Sequence, residues 1–365
     1  MNSIKRTICI GIVLGIYLLL LTSCRKKEAV ATDNNYARNF LDNKICYDVL
    51  EGPKELNSDN MLNFFTIKSE DFPVQVFIMK NKETKTAQYV ISRMQEDGSW
   101  ISEVPKWNEV CTKKKNGGIV AVTEDSRGMF YAVWWNSKMT DYKLLRLNPN
   151  GSVDDLNIEL IKKMYKEDIL FTIALVNDDK VMLEFMKNPI RKKANEGEED
   201  SLLRVVEYNL AEEKMSGETG VMGHINDNFD EQGIYYVADN LQNLILGRKI
   251  TSTISDRVIK CDAGLPLSSV MDIQDGYGYC NTNNGIYGGE LDAESWNCII
   301  PSEEMIKTEQ KTKEVEGEAG TTYQMNLGPS VDIIMKTPGN DREFYCLMSE
   351  NPEDRKYQWV HYYDK

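Results

Sequence analysis

One strand-and-turn unit recurs along this chain, and it limits the possible folds more than any other feature. The clearest copy has strands predicted at residues 118–122, 129–135, 142–147 and 152–153, with turns at 124–128, 136–141 and 148–151. The strands are rich in β-branched and aromatic residues, which fit a pleated sheet. Each turn contains Gly, Pro, Asn or Asp, which set turn geometry. The unit therefore predicts four short antiparallel strands.

The spacing of the copies predicts how these units assemble. The turn acids Asp125, Asp178, Asp230 and Asp275 follow one another at intervals of 53, 52 and 45 residues. Four-stranded units at about this interval are typical of β-propeller blades. We recognise six copies, and residues 36–50 are expected to add a strand to the last blade and close the ring. The prediction is an all-β propeller of six or seven blades; two β-sandwiches remain the alternative.

The first residues carry an export signal. Lys5 and Arg6 precede an uncharged stretch at 8–21, which suits a signal-peptide core and is short for a membrane-spanning helix. The stretch ends in Leu21-Thr22-Ser23-Cys24, which resembles the lipobox of bacterial lipoproteins. The resemblance implies that Cys24 is lipidated and becomes the new N-terminus. An uncleaved anchor helix is the alternative.

The predicted organisation follows from this signal. Residues 1–23 form the lipoprotein signal peptide, residues 24–35 a flexible polar tether, and residues 36–365 a single propeller domain. The chain is then expected on the cell membrane or outer membrane, held there by its lipid. Cleavage removes two basic residues and no acid, so the net charge changes from −14 to −16. That balance argues against a nucleic-acid partner and against anionic lipid binding by the domain surface, since both need a basic patch.

The cysteines permit two interpretations. Besides Cys9 in the signal and Cys24, the chain contains Cys46, Cys111, Cys261, Cys280, Cys298 and Cys346. An even number in an exported chain permits disulfides. Their spacing is irregular, no CxxC occurs, and several have apolar neighbours. We therefore favour buried free thiols that pack as small hydrophobic side chains, with disulfides left open.

Motifs for known catalytic chemistry are absent from the sequence. There is no Walker loop, GxGxxG turn, HExxH, GxSxG or zinc-spaced Cys/His cluster, and only two histidines occur. We therefore expect no cofactor and no metal site. The predicted function is a membrane-anchored, non-catalytic module that binds a glycan, peptide or protein. A structural subunit of an envelope complex, or a propeller hydrolase or lyase, remains the alternative.

Loop lengths predict the face on which a ligand binds. The turns between first and second strands are short. Two charged insertions, at 187–201 and 302–320, interrupt the pattern and are expected to form a solvated loop and a mobile loop or frayed helix. Variable loops on a rigid scaffold commonly carry recognition. We therefore expect contacts on the opposite face, with Asn136 and His224 as candidates and one of Trp134 and Trp135 on each side of its sheet.

Overall fold

The architecture was taken from a computed structural model of the chain. It describes residues 45–67, 72–84, 86–113, 117–187, 203–222, 228–239, 242–249, 255–261, 267–274, 276–282, 284–302, 305, 312–316, 322–326, 330–337, 340–351 and 356–364. All of these residues belong to one compact unit, Ala37–Lys365.

Strands dominate the described residues. The strands of the first half are β1 (Ile45–Leu50), β2 (Met61–Ile67), β3 (Val74–Lys80), β4 (Ala87–Met94), β5 (Trp100–Glu103), β6 (Gly117–Glu124), β7 (Phe130–Asn136), β8 (Tyr142–Leu147), β9 (Val153–Asp155), β10 (Asp168–Asn177), β11 (Lys180–Lys187), β12 (Leu203–Asn209) and β13 (Lys214–Met222). Those of the second half are β14 (Ile234–Asp239), β15 (Leu244–Lys249), β16 (Arg257–Lys260), β17 (Leu267–Gln274), β18 (Tyr277–Thr282), β19 (Gly285–Glu290), β20 (Asn297–Pro301), β21 (Thr312–Glu316), β22 (Thr322–Asn326), β23 (Ser330–Thr337), β24 (Asn340–Asn351) and β25 (Lys356–Asp364).

These strands form six antiparallel blades. In chain order the blades are β2–β5, β6–β9, β10–β13, β14–β16, β17–β20 and β23–β25 with β1. We number them 1 to 6. The first strand of a blade is the innermost, since β6 is a neighbour of both β2 and β10, and β17 of β23. The all-β propeller prediction is confirmed, with six blades.

The hydrophobic core is divided among the junctions of the blades. Among the described residues, the buried side chains form six clusters, and each joins two consecutive blades. One cluster packs Phe77 of blade 1 against Leu347 and Trp359 of blade 6, which closes the circle. Six junctions in a closed cycle are incompatible with two β-sandwiches, which would have one core between each pair of sheets. That alternative is therefore wrong.

The N-terminal strand closes the ring. β1 pairs antiparallel with β25, with Ile45 opposite Asp364 and Leu50 opposite Trp359, and it becomes the outermost strand of blade 6. The expectation that residues 36–50 supply a closing strand is confirmed for residues 45–50. The chain continues from β1 into β2 of blade 1. The hydrogen bonds between β1 and β25 therefore tie the first blade to the last.

Blade 4 is built on three strands among the described residues. Its sheet contains β14, β15 and β16, and an antiparallel bridge pairs Phe229 with Tyr235 before them. The amide of Tyr236 also donates to the carbonyl of Asn228, at 2.9 Å. Asn228 and Phe229 therefore lie beside β14, in the position of the first strand of blade 4.

Two of the acidic turns, those of Asp125 and Asp230, are built alike, whereas Asp178 accepts the amide of Ser126 in the neighbouring blade at 3.0 Å. Asp125 Oδ1 accepts hydrogen bonds from the amides of Arg127 and Met129, and Asp230 Oδ1 accepts them from Gln232 and Ile234, all at 2.9–3.0 Å. In each turn a glycine three residues after the Asp has a φ near +75°, a backbone conformation that favours glycine. Asp125 and Asp230 therefore cap β-turns, as the sequence indicated.

Two short helices and a hairpin lie in the connections between blades. Helix α1 (Asn108–Lys113) joins blades 1 and 2, and α2 (Glu159–Met164) joins blades 2 and 3. The hairpin β21–β22 lies between blades 5 and 6. The frayed-helix alternative at 302–320 is therefore wrong for residues 312–316, which pair with a second strand, and the mobility of this segment stays a prediction. Within the described ranges, no helix is long and apolar enough to cross a membrane.

Antiparallel order gives the ring two faces. The turns between first and second strands, and between third and fourth strands, lie on one face, which we call the turn face. The second-to-third connections and the connections between blades lie on the other, which we call the loop face. Because β25 starts at the loop face and ends at the turn face, its antiparallel partner β1 begins at the turn face. Residue 45 therefore enters the ring opposite the loop face.

Candidate recognition face

The loop face between blades 2 and 3 carries an exposed apolar pair on α2. Leu160 and Met164 are one helical turn apart and are 63% and 38% exposed. Residues at this spacing share one side of a helix. The adjacent Ile161 is buried in the core between blades 2 and 3. The helix is therefore anchored by Ile161 and presents two apolar side chains to solvent.

Contacts to blade 2 hold α2 in place. Lys162 Nζ lies 3.2 Å from Asp141 Oδ1, in the turn between the second and third strands. The same ammonium group lies 5.1 Å from the centre of the Tyr142 ring, within the range of a cation–π contact. The carbonyl of Ile161 accepts the amide of Tyr165, which ends the helix. These contacts hold the exposed pair rigidly on the scaffold. Less conformational entropy of α2 is therefore lost when a ligand binds.

Asn136, a predicted ligand contact, lies on this face but is used inside its own turn. Its Oδ1 accepts the amide of Thr140 at 2.9 Å, and its Nδ2 donates to Thr140 Oγ1 at 2.8 Å. Its amide also donates to the carbonyl of Asp141, the residue that pairs with Lys162. Asn136 therefore shapes the turn that anchors α2.

The two neighbouring tryptophans are placed differently, as strand alternation predicts. Trp134 is buried in the core between blades 1 and 2. It lies so close to Gly117 that a Cβ there would come within 2.0 Å of its ring. Trp135 is half-buried and donates from Nε1 to the carbonyl of Leu170 at 2.6 Å. Its ring centre lies 6.3 Å from that of the half-buried Phe171. Trp135 is thus the member of the pair with accessible surface on this side.

A charged pair lies at the loop-face end of blade 3, where β10 and β12 begin. The buried carboxylate of Asp168 is 3.5 Å from Arg204 Nε, and the guanidinium of Arg204 lies over the Tyr165 ring at 5.2 Å. Desolvation raises the pKa of Asp168, although Arg204 and Lys187 act to lower it. Arg204 itself is 44% exposed. The arrangement places an accessible guanidinium over the Tyr165 ring and beside a buried acid. We call the set of Trp135, Leu160, Met164, Asp168, Phe171 and Arg204 the blade 2–3 mouth.

The inner strands have a bulge near the loop face. In blades 1, 2, 3 and 6 the pairing register skips one residue close to the start of the first strand; the skipped residues are Leu62, Val120, Phe171 and Asp332. Bulges bend a strand and change the direction of a side chain. Leu62 is 48% exposed and Asp332 is exposed, whereas Val120 and Phe171 are half-buried. Phe171 is therefore both the bulged residue of β10 and a member of the blade 2–3 mouth.

The remaining predicted residues are outside the described part. His224 and Cys24 both lie there, so their roles stay predictions. The described residues contain no group of three or more His, Cys, Asp or Glu side chains arranged to hold a metal ion. Sequence reasoning missed α2, Asp168 and Arg204. The spacing of Leu160, Ile161 and Met164 was the available signal for α2, whereas nothing local marked Asp168 and Arg204, which are distant in sequence.

Comparisons with known proteins identify no family. No protein-family model matches the chain, and no curated protein matches it. Among solved structures, a luciferin-regenerating enzyme matches with a TM-score of 0.46 and 11% identity, over 88% of this chain and 96% of that one. An acylaminoacyl peptidase matches with a TM-score of 0.38 and 11% identity, over 78% of this chain and 48% of that one. An α-L-arabinofuranosidase from Podospora anserina matches with a TM-score of 0.35 and 10% identity, over 87% and 95%. TM-scores this low support no conclusion about the activity of this chain.

Proposed function

We propose that this chain is a lipid-anchored, non-catalytic β-propeller that binds a peptide segment of a partner protein at the blade 2–3 mouth. The observation that carries the proposal is the exposed pair Leu160 and Met164 on a helix fixed to the scaffold. Exposed apolar side chains on a rigid support favour a partner that buries them. Methionine adapts its shape to apolar surfaces, which suits recognition of extended chains.

The chemistry of the mouth favours a peptide over a glycan. Sugars are bound mainly by stacking on open aromatic faces with many hydrogen bonds, and here Trp135 already uses its indole N–H on Leu170. The aliphatic pair on α2 and the half-buried Phe171 match apolar side chains instead. Arg204 offers its accessible guanidinium to a carboxylate or a backbone carbonyl of the ligand. The expected ligand is therefore an extended segment with apolar side chains next to an acidic residue.

The position of the chain entry is consistent with this use. Residue 45 enters at the turn face, and the proposed lipid at Cys24 precedes it by 21 residues. Entry at the turn face supports a loop face that is open to a partner. The polar tether expected at 24–35 suits a domain that keeps its membrane attachment while it meets that partner.

The test uses peptides selected from a random library against the full chain in detergent. Binding of the selected peptides is then measured by fluorescence anisotropy to the wild type and to the double variant Leu160→Ser, Met164→Ser. We expect at least a roughly 10-fold weaker affinity, since two apolar contacts are lost. The matched control is Val258→Ser, which removes a 53% exposed apolar side chain from the outer strand of blade 4.

Two outcomes would reject the proposal. Equal binding to the double variant and the wild type would show that the mouth is not the site. The ligand would be a glycan, and not a peptide, if a glycan array yields a ligand whose binding is weakened by Trp135→Ala while the peptide library yields none. Circular dichroism of each variant establishes that the ring remains folded.

A further inference from the structure

The thiols of Cys261 and Cys280 meet across the junction of blades 4 and 5. Their sulfur atoms are 3.9 Å apart, and both residues are fully buried. Cys261 directly follows β16, and Cys280 lies on β18, the second strand of blade 5. Their mutual hydrogen bond and their burial raise the pKa of Cys280. In the structure both are thiols, as are the four other cysteines of the propeller.

This contact lies within the core that joins blades 4 and 5, among Tyr236, Ile259 and Tyr287. Backbone hydrogen bonds at the outer edge of blade 4 also connect the two blades. There the carbonyl of Lys260 accepts the amide of Trp296 at 2.8 Å. The amide of Lys260 donates to the carbonyl of Glu294 at 2.9 Å. A covalent bond next to these contacts would reinforce the junction between blades 4 and 5.

Neighbouring contacts hold both sulfurs in position. The amide of Cys261 donates to the carbonyl of Asn243 at 2.8 Å, which fixes its backbone to blade 4. Cys280 is paired with Met271 on one side and Tyr287 on the other. A disulfide needs the sulfurs at about 2.05 Å, so they have to approach by less than about 2 Å. Rotation about the two Cα–Cβ bonds provides movement of that size.

We propose that Cys261 and Cys280 form a disulfide that joins blades 4 and 5 when the exported chain folds in an oxidising compartment. The oxidant is a small or protein disulfide. The thiolate of one cysteine attacks it, forms a mixed disulfide and releases one thiol; the other cysteine then attacks the mixed disulfide and releases the second thiol. Two protein thiols are oxidised, and one disulfide of the oxidant is reduced to two thiols. The reaction precedes closure of the junction, since both sulfurs are inaccessible afterwards.

The test refolds the reduced full chain in detergent with a mixture of oxidised and reduced glutathione. Peptide mapping without reduction should then recover one linked pair, containing Cys261 and Cys280. The link closes a loop between residues 19 apart. It should raise the equilibrium constant for folding by about 100-fold over the reduced protein, measured by urea unfolding. Cys280→Ser should lose the link and this gain, whereas the control Cys111→Ser, another buried thiol, should keep both.

Two results would overturn the proposal: all six propeller thiols are alkylated after oxidative refolding, or the linked pair contains other cysteines. The peptide map of the wild type decides the matter even if Cys280→Ser folds poorly, and Cys261→Ala is a second variant. The proposal depends on the proposed export only for its oxidant. Because the test supplies glutathione, its outcome is separate from those of the lipidation and peptide-binding experiments.

Discussion

Arg93 of blade 1 donates to both carboxylate oxygens of Glu124 of blade 2, with Nη1 2.9 Å from Oε2. The side chain of Glu124 is 7% exposed and that of Arg93 is 36% exposed. The guanidinium also lies 5.6 Å from the centre of the Phe130 ring. Two-pronged pairs of this kind are among the stronger charged contacts in proteins. The pair links the end of the inner strand of blade 2 to the third strand of blade 1.

Replacing the cation of this pair should cost much of the domain's stability. In Arg93→Met the side chain keeps most of its apolar length, but the buried carboxylate of Glu124 loses its partner. A buried charge left alone costs about 3–5 kcal/mol of unfolding free energy, measured by urea titration. The matched control is Lys143→Met, whose partner Asp155 is 46% exposed. Exposed pairs contribute about 0–1 kcal/mol, so an equal loss in both variants would contradict the prediction.

The stability deficit of Arg93→Met should depend on pH. Burial raises the pKa of Glu124, while its hydrogen bond with Arg93 and the positive charge of Arg93 lower it. Without Arg93 the folded pKa rises further above the unfolded value, so the folded state binds the proton more tightly. The deficit is then largest above the folded pKa and shrinks as the pH falls towards the unfolded pKa. Urea titrations from about pH 8 to about pH 5 measure it. A deficit that stays constant over that range would show that lost packing, and not charge, is the cause.

The turn at Asp230 should be sensitive to the loss of its carboxylate. Asp230 Oδ1 accepts two amides, and Oδ2 accepts the hydroxyl of Tyr236 at 3.1 Å. Asp230→Ala should lower the unfolding free energy by about 1.5–3 kcal/mol, the usual contribution of hydrogen bonds to a charged group. Asp230→Asn keeps the Oδ1 acceptor and should lose less. Glu231→Ala, at the exposed neighbouring position, is the control; a loss in this variant as large as in Asp230→Ala would rule out the capping role.

The closing strand provides another test of the ring. Leu50 is half-buried and packs in the cluster between blades 6 and 1, whereas the adjacent Val49 is 52% exposed. Leu50→Ala should destabilise the domain by about 1–3 kcal/mol, less than for a fully buried leucine. Val49→Ala should have little effect. Urea unfolding of both variants decides, and similar midpoints would mean that β1 contributes little packing to closure.

The parts of this fold that sequence predicts are the ones encoded locally. The turn of Asp125 needs an acid and a glycine three residues later, and both are visible in the chain, as are the alternating strands on either side. The pairing of Arg93 with Glu124 joins residues 31 apart, and no local pattern indicates it. Helix α2 is only six residues long, too short to be stable alone, and it depends on burial of Ile161 and on Asp141. Asn136 has a side-chain amide of the kind that contacts ligands. In this fold both polar atoms of that amide form hydrogen bonds with Thr140 in the same turn.

The lipid anchor is the prediction on which the location of the protein depends. The motif Leu21-Thr22-Ser23-Cys24 after an uncharged core predicts that Cys24 accepts diacylglycerol. Two or three acyl chains anchor a protein far more firmly than one, at roughly 0.8 kcal/mol for each buried CH2. Cys24→Ser should leave an unprocessed precursor that incorporates no labelled palmitate. Cys46→Ser, which changes the next cysteine along the chain, should be processed and labelled like the wild type. If Cys24→Ser is also processed and labelled, the lipid is attached elsewhere, and the orientation argued from the entry of residue 45 at the turn face loses its support.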